Sequence, residues 1–156
     1  MQIRTATLVD LSSIFCLLSQ MHEEPEIEVD EMDWFKVSHI ATECIKKNLI
    51  LVAETKEDGI IGSIGGETMT EWYSTTPVLA DYWFYVLPEH RKTAAAFKLM
   101  KAFKDIADEN NIQMKVGYTL GNDPRKDKLY EKLGFEKLGT LFKRNNGNGR
   151  CVRTEC

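Results

Sequence analysis

The sequence lacks an excess of positive charge, because 24 acidic residues outnumber 20 lysines and arginines and leave a formal net charge of −4 at pH 7. Such a chain has no general attraction for nucleic acid or for an anionic membrane, so any anion site has to be local. No apolar run approaches the length of a membrane span, and the first residues lack the pattern of a signal peptide. We therefore expect no nucleic-acid partner and no membrane partner.

Cysteine and histidine are too few and too scattered for a metal site. The four cysteines, Cys16, Cys44, Cys151 and Cys156, form no C-x-x-C pair and no ligand pattern with the three histidines. Cys16 and Cys44 fall on apolar helical faces, which is typical of small core residues. The sequence predicts no metal cofactor and a reducing, cytoplasmic setting.

Length and composition fit one domain. With 156 residues, 43% of them apolar and 28% charged, the chain is long enough to bury a core of its own. From Arg144 onward the sequence is rich in asparagine and glycine. We expect a single domain over residues 1–144 and a flexible C-terminal tail over residues 145–156.

Apolar periodicity predicts the order β-α-α-β-β-β-α-β-α-β. The predicted strands cover residues 2–8, 49–54, 60–69, 79–87, 112–120 and 135–143, and the predicted helices cover about 11–21, 32–47, 91–110 and 124–133. Strands and helices alternate most regularly in the second half, which favours a mixed sheet with helices on its faces. The predicted fold class is α/β, of the mixed α+β kind.

The stretch from Val86 to Met100, VLPEHRKTAAAFKLM, passes from a strand into a helix that opens with very small side chains. The first N–H groups of a helix lack partners within it, and the helix dipole leaves partial positive charge there. Phosphate groups bind such an end if they can approach the backbone, and alanine is second only to glycine in permitting this. Two interpretations remain open: an ordinary solvated first turn, or a cradle for a pyrophosphate.

Two motifs resemble those of the GNAT superfamily of N-acetyltransferases. The acetyl-CoA motif of that family is Q/R-x-x-G-x-G/A, and here it reads Arg91-Lys92-Thr93-Ala94-Ala95-Ala96, with Ala94 where the family usually has glycine. The run LYEKLGF over residues 129–135 matches the family's last helix–strand junction. The predicted element order agrees as well, and the resemblance extends from Ile3 to about Phe142.

The resemblance implies a GNAT-like, mostly antiparallel sheet in which the strand at Tyr82–Leu87 splays away from the strand at Lys115–Leu120. Pantetheine would fill the gap and hydrogen-bond to freed backbone groups near Tyr85, Val86 and Leu87. The Val86 amide would stabilise the oxyanion as an amine attacks the thioester. Acetyl-CoA is thus the expected donor.

The same resemblance implies a binding set for the rest of the donor. Backbone N–H groups from Lys92 to Ala96 would hold the pyrophosphate, with charge from Arg91 and Lys92. The implied contacts are Arg91, Lys92, Thr93, Ala94, Ala95 and Ala96. Asn122 resembles the family asparagine that touches pantetheine, although it lies one residue further from Tyr130 than is usual; a turn residue before Pro124 is the alternative. Ala95→Glu is expected to raise the donor KM strongly at little cost in stability.

Tyr130 matches the family's frequent general acid, which protonates the departing thiolate; a core aromatic residue is the alternative. The base is harder to identify from the sequence. Asp81, near the start of the central strand, is the first candidate, followed by Glu67 and His90. Asp81 is equally compatible with a solvated position at the strand start.

The acceptor is expected to be a primary amine. The connection between the first two helices carries seven carboxylates, which are Glu23, Glu24, Glu26, Glu28, Asp30, Glu31 and Asp33. Such a rim favours cationic small molecules, polyamines or basic peptides, unless it is only a solvated loop. Four aromatic residues could line the site or belong to the core or a dimer surface, namely Trp72, Tyr73, Trp83 and Tyr85.

The leading hypothesis is an N-acetyltransferase in which an amine attacks acetyl-CoA directly in a ternary complex. The alternative is a non-catalytic CoA-binding or protein-interaction module on the same scaffold. The alanine at position 94 and the lack of an unambiguous base motivate that alternative. Oligomeric state is left open, with a homodimer among the options.

Overall fold

The structure, a computed structural model, describes residues 1–27, 29–119 and 123–144. The elements in chain order are β1 Gln2–Thr5, α1 Leu11–Glu23, α2 Trp34–Lys46, β2 Ile50–Thr55, β3 Gly59–Thr70, β4 Pro77–Val86, α3 Ala95–Glu109, β5 Gln113–Lys115 and α4 Pro124–Lys132. Short 3-10 turns over Leu8–Asp10 and Pro88–His90 precede α1 and α3. In the described part of the chain, no helix is both long enough and apolar enough to cross a membrane.

The five strands form one sheet in the order β1-β2-β3-β4-β5. The first four strands are antiparallel, whereas β5 runs parallel to β4. Helices α1 and α2 cover one face through a buried cluster that includes Ile14, Ala41 and Trp83. Helix α3 covers the other face with Leu99 and Phe103, both fully buried. The predicted mixed, mostly antiparallel sheet flanked by helices is confirmed.

Strands β4 and β5 pair over three residues only, with Ala80 opposite Lys115 as the last pair. Beyond that pair β4 continues to Val86, while Val116–Thr119 form no strand. The sheet is therefore open on this side of β4, which is the splay that the resemblance implied. Strand β5 is shorter than the predicted strand over 112–120 because its second half leaves the ladder.

A β-bulge bends β4 next to this opening. The register between β3 and β4 shifts between Gly65 and Gly66, opposite Trp83 and Asp81. Any side chain at Gly66 would collide with the carbonyl oxygen of Ala80, so the close approach of the two backbones requires glycine there. The bulge changes the strand's register immediately after the residue where β5 begins to diverge.

The predicted last strand over residues 135–143 is wrong, because residues 135–144 form no regular element. Its apolar residues Leu138, Leu141 and Phe142 are 80%, 79% and 90% exposed. Their spacing of three and one does not put them on one face of a strand, where apolar residues alternate with period two. The segment therefore offers the sheet no apolar face.

Helix α3 begins at Ala95 rather than at residue 91 as predicted. The Thr93 hydroxyl accepts a hydrogen bond from the Ala95 amide at 3.2 Å and donates to the His90 carbonyl at 2.7 Å. These bonds hold Arg91–Ala94 as a turn that follows the 3-10 turn, so the helix starts only after it.

Candidate active site

A cleft of about 1330 Å³ lies where β4 and the chain after β5 separate. One wall consists of β4 from Ala80 to Val86 and the start of α3, and we call it the β4–α3 wall. The other consists of residues 115–119, residues 123–126 and Leu129, and we call it the α4 wall. The end of α1 and the loop after it, Glu24–Ile27, close one end.

Near its end, the main chain of β4 presents the backbone groups of Val86 to the cleft. Leu87 donates its N–H to the Ile61 carbonyl at 2.9 Å, so this group belongs to the β3–β4 ladder and is not free as predicted. Neighbouring residues of a strand direct their peptide groups to opposite sides, so Tyr85 faces β3 and Val86 faces away from it. The Val86 carbonyl accepts a 2.9 Å hydrogen bond from Arg91 Nε on that open side.

At the start of α3, two of the predicted phosphate-binding residues, Thr93 and Ala96, line the cleft. Lys92 and Ala94 are exposed and do not line the described wall. Ala95 is fully buried against the core. The expectation that Ala95→Glu costs little stability is therefore wrong, because a carboxylate there would be buried without a partner.

Arg91 lies in the wall but is held by other groups of the protein. Its Nη2 contacts both carboxylate oxygens of Glu24, at 2.6 and 2.8 Å, and its guanidinium carbon lies 5.2 Å from the Tyr85 ring centre. Tyr85 Oη donates to the same carboxylate at 2.6 Å. Burial and this hydrogen bond raise the pKa of Tyr85. In the sequence Glu24 is one of many acidic residues in this loop, and no local pattern marks it as the partner of Arg91.

Asp81 lies directly after the last β4–β5 pair and lines the cleft. Its Oδ1 accepts the Gly117 N–H at 3.0 Å, which ties the two diverging chains together at their junction. Burial raises the pKa of Asp81 from 3.8 to about 6, although hydrogen bonds from backbone N–H groups and the charge of Lys126 lower it. A carboxylate with that pKa is mostly ionised at neutral pH, and its pKa lies close enough to 7 for it to accept a proton from a substrate.

The two other base candidates, Glu67 and His90, lie outside the described cleft wall. The Glu67 carboxylate accepts hydrogen bonds from Lys47 at 2.8 Å and Tyr82 at 2.5 Å, and both contacts lower its pKa. His90 Nε2 lies 3.5 Å from Asp58. Of the three predicted candidates, only Asp81 therefore faces the cleft.

Tyr130 is buried beside the α4 wall rather than in its surface. Its ring packs between Tyr118 and Phe135, at centroid distances of 6.3 and 6.0 Å. Its hydroxyl is buried and has no hydrogen-bond partner among the described residues. Burial and the charge of Asp81 raise the pKa of Tyr130, so the hydroxyl stays protonated at neutral pH. Asn122 lies outside the described residues.

Lys126 is a wall residue that sequence analysis missed. Its Nζ lies 5.3 Å from the centre of the Tyr118 ring, and burial lowers its pKa. Nothing in the spacing of α4 distinguishes this lysine from Lys128, which is exposed on the same helix.

The aromatic residues divide between the cleft and the surface. Trp83 and Tyr85 line the cleft, whereas Trp72 and Tyr73 are 94% and 66% exposed and contact each other edge to face. The acidic connection contributes Glu24 and Glu26 to the end of the cleft. No group of three or more potential metal ligands converges within residues 1–27, 29–119 and 123–144.

A family model described as the acetyltransferase (GNAT) domain matches residues 46–137, which is more than half of the chain. The matched region contains β2 to β5, α3, α4 and both cleft walls. No curated protein matches the chain in sequence.

Solved acetyltransferase structures are similar to the whole fold. An aminoglycoside antibiotic 6'-N-acetyltransferase from Acinetobacter haemolyticus has a TM-score of 0.69 at 17% identity, covering 93% of this chain and 97% of its own. A predicted acetyltransferase from Clostridium acetobutylicum, solved with acetyl-CoA, has a TM-score of 0.71 at 18% identity, with coverages of 92% and 95%. A ribosomal-protein-alanine N-acetyltransferase from Brucella melitensis has a TM-score of 0.72 at 22% identity, with coverages of 90% and 88%. At these identities the similarity is one of fold.

Proposed function

The chain belongs to the GNAT family of acetyltransferases and is an acyltransferase by that membership, and from this premise we propose that it transfers acetyl from acetyl-CoA to a primary amine. The amine attacks the thioester directly in a ternary complex. The observation that carries the proposal is the open side of β4, where the Val86 peptide unit faces a cleft bordered by the small side chain of Ala96.

The chemistry of the cleft supports acetyl-CoA as the donor. Acetyl-CoA supplies an activated acyl carbon, which exchanges its bond to sulfur for a bond to the amine nitrogen. The small side chain of Ala96 leaves the first turn of α3 open to a pyrophosphate. The amide of Val86 is directed away from β3, where it can donate to an oxygen that gains negative charge during the attack. The buried Tyr130 hydroxyl without a partner supports the same fit, since a ligand could supply its missing hydrogen bond.

Two side chains handle protons in this proposal. An ammonium acceptor has to lose a proton before its lone pair can attack, and Asp81 takes that proton, directly or through water. Tyr130 donates its hydroxyl proton to the departing thiolate. The pKa of Asp81, about 6, and the raised pKa of Tyr130 give each group the protonation state that its role needs at neutral pH.

The acceptor class that the cleft favours is a cationic amine. Glu24 and Glu26 lie at the end of the cleft formed by the α1–α2 connection, and Trp83 and Tyr85 give it apolar surface. We include small-molecule amines, polyamines and peptide amines in this class. The names of the structural neighbours include both an aminoglycoside enzyme and a protein N-acetyltransferase, which supports that breadth.

Calorimetry with acetyl-CoA, followed by a transfer assay against a panel of amines, tests the proposal. We expect donor binding at micromolar to millimolar concentration and turnover that Tyr130→Phe lowers. Binding without turnover on any amine would favour the non-catalytic CoA-binding alternative. The absence of donor binding would refute both the transferase and that alternative, and would leave the protein-interaction module.

Three further properties are proposed from the sequence alone. A single domain over residues 1–144 would carry the activity, the setting would be cytoplasmic, and neither nucleic acid nor membrane would take part. A homodimer is compatible with the exposed apolar residues Leu138, Leu141 and Phe142. Sedimentation of the purified chain would distinguish it from a monomer.

A further inference from the structure

Four cationic side chains line the cleft, and three of them are paired with carboxylates. Arg91 contacts Glu24 at 2.6 Å, Arg125 contacts Asp123 at 3.0 Å, and Lys115 forms an ion pair with Glu71. The fourth is Lys126, which has no carboxylate within salt-bridge distance among the residues that the structure describes. A half-buried ammonium without a paired anion is unfavourable, so its retention in a wall facing solvent points to a ligand.

The position of Lys126 is fixed by the α4 wall. It belongs to the first turn of α4 and its ammonium lies over the Tyr118 ring. Tyr118 is itself held, because its hydroxyl donates to Asp127 at 2.7 Å. A cation–π contact of this kind restrains the ammonium without neutralising its charge. The ammonium is therefore held in the cleft wall by a contact that does not neutralise it.

Arg91 brings a second cation near the same place from the opposite wall. Its charge is one of the causes that lower the pKa of Lys126, after burial, while Asp123, Asp81 and Glu24 act in the other direction. Two cations that approach each other from separate walls repel, and a doubly charged anion between them would remove that cost. A diphosphate carries such charge, whereas an acetyl group carries none.

We propose that Lys126 binds the diphosphate of acetyl-CoA from the α4 wall, opposite the main-chain donors at the start of α3. This inference rests on the proposed function, since it assigns a second contact within the same donor site. Because Arg91 is paired with Glu24, Lys126 is the lining cation that has no carboxylate partner within the part of the chain that the structure describes.

The test measures binding of acetyl-CoA by calorimetry for wild type, Lys126→Met and Lys128→Met. Lys128 is the matched control, because it lies on the same helix, is exposed and loses the same charge. We expect Lys126→Met to raise the Kd of acetyl-CoA about tenfold, in line with the loss of one charge-assisted hydrogen bond, and Lys128→Met to change it less than about twofold. The loss should shrink as salt concentration rises.

Two further ligands identify the anion that Lys126 contacts. With 3′-dephospho-CoA the tenfold effect should persist, since the diphosphate is retained; its disappearance would assign Lys126 to the 3′-phosphate and overturn the proposal. With succinyl-CoA the effect should match that on acetyl-CoA. A loss seen only with succinyl-CoA would place Lys126 at the acyl group and would also overturn it.

A second pair of variants distinguishes the loss of the charge from a defect in folding. Lys126→Arg keeps the charge and should retain most of the affinity, whereas Lys126→Gln should show the same loss as Lys126→Met. An unchanged Kd in Lys126→Met or Lys126→Gln, with wild type binding normally, refutes this inference alone. Failure of the wild-type protein to bind acetyl-CoA refutes the proposed function itself.

Discussion

The two walls of the cleft are built from different chemistry. The β4–α3 wall offers main-chain groups and small side chains, and its cation Arg91 is already paired with Glu24. The α4 wall offers the Lys126 ammonium, and behind that wall lies the buried Tyr130 hydroxyl; among the described residues Lys126 has no carboxylate partner and Tyr130 has no hydrogen-bond partner. One wall can therefore hold a ligand through its main chain, whereas the other depends on individual side chains that have no partner among the described residues.

Asp81 lies where the two walls meet, on β4 but bonded to Gly117 of the other wall. The pKa of Asp81 therefore depends on both walls, because burial raises it and the charge of Lys126 lowers it. Four substitutions, taken in order of expected effect, distinguish the contributions of the walls.

The largest effect is expected from Ala96→Glu, which places a carboxylate in the β4–α3 wall next to the proposed pyrophosphate site. Repulsion of about 4 kcal/mol is the scale for two unit charges about 4 Å apart near a protein surface, so we expect the donor KM to rise more than a hundredfold. Ala96 is half-buried, so stability should fall far less than for Ala95→Glu. Ala96→Gln is the control of equal size, and an equal rise in KM for both variants would attribute the effect to bulk rather than charge.

Asp81→Asn should lower kcat about a hundredfold, in the range typical for removal of a general base. The rise of kcat/KM with pH, expected in the wild type near pH 6, should disappear. The hydrogen bond from the Gly117 N–H is retained in this variant, because the asparagine side chain still offers an oxygen acceptor. A variant that keeps the wild-type pH profile would show that another group accepts the proton.

The same substitution also predicts a change in stability with a definite sign. In the folded protein the pKa of Asp81 is about 6, whereas its ordinary value is 3.8. At pH values between these two, Asp81 therefore binds more protons in the folded state than in the unfolded state. Wild-type stability therefore falls as pH rises from about 4 to about 6, and the loss persists above that range. Asp81→Asn should be more stable than wild type by about 3 kcal/mol at pH 8, and equal to it near pH 3.5. Urea unfolding at the two pH values measures the difference.

Tyr130→Phe tests the α4 wall and should lower kcat about tenfold, because a thiolate can leave without complete protonation. Removing a buried hydroxyl that has no partner should stabilise the protein without ligand by about 1 kcal/mol. If CoA supplies the missing hydrogen bond, that stabilisation should shrink when CoA is present. Thermal unfolding with and without CoA measures it, and a gain in stability that CoA does not alter would leave Tyr130 as a core residue only.

Glu24→Gln should have the smallest effect, a change of about threefold or less in the donor KM. It removes a surface ion pair of Arg91, and such pairs contribute about 1 kcal/mol or less. The released guanidinium could then contact the donor, so we expect the KM to fall rather than rise. A rise in KM would show that Glu24 orients Arg91 for the donor.

Local patterns predicted most of the fold and one side of the site. The apolar spacing correctly identified the four antiparallel strands β1 to β4 and all four helices, because each pattern reflects the face that an element buries. The prediction failed at residues 135–143, where the apolar residues lack a strand's alternation, and at residues 116–119, where the chain leaves the sheet. Whether a strand forms at such places depends on a partner that only the fold can provide.

The sequence by itself determined the family, the strand–turn–helix at residues 86–96 and the small side chains at its start, because these depend on residues adjacent in the chain. Four features of the site follow only from the fold: the pairing of Arg91 with Glu24, the burial of Ala95, the bond from Gly117 to Asp81, and a Lys126 ammonium with no carboxylate partner among residues 1–27, 29–119 and 123–144. Charge pairing and desolvation depend on distances between residues far apart in the sequence, and those distances exist only after the chain has folded.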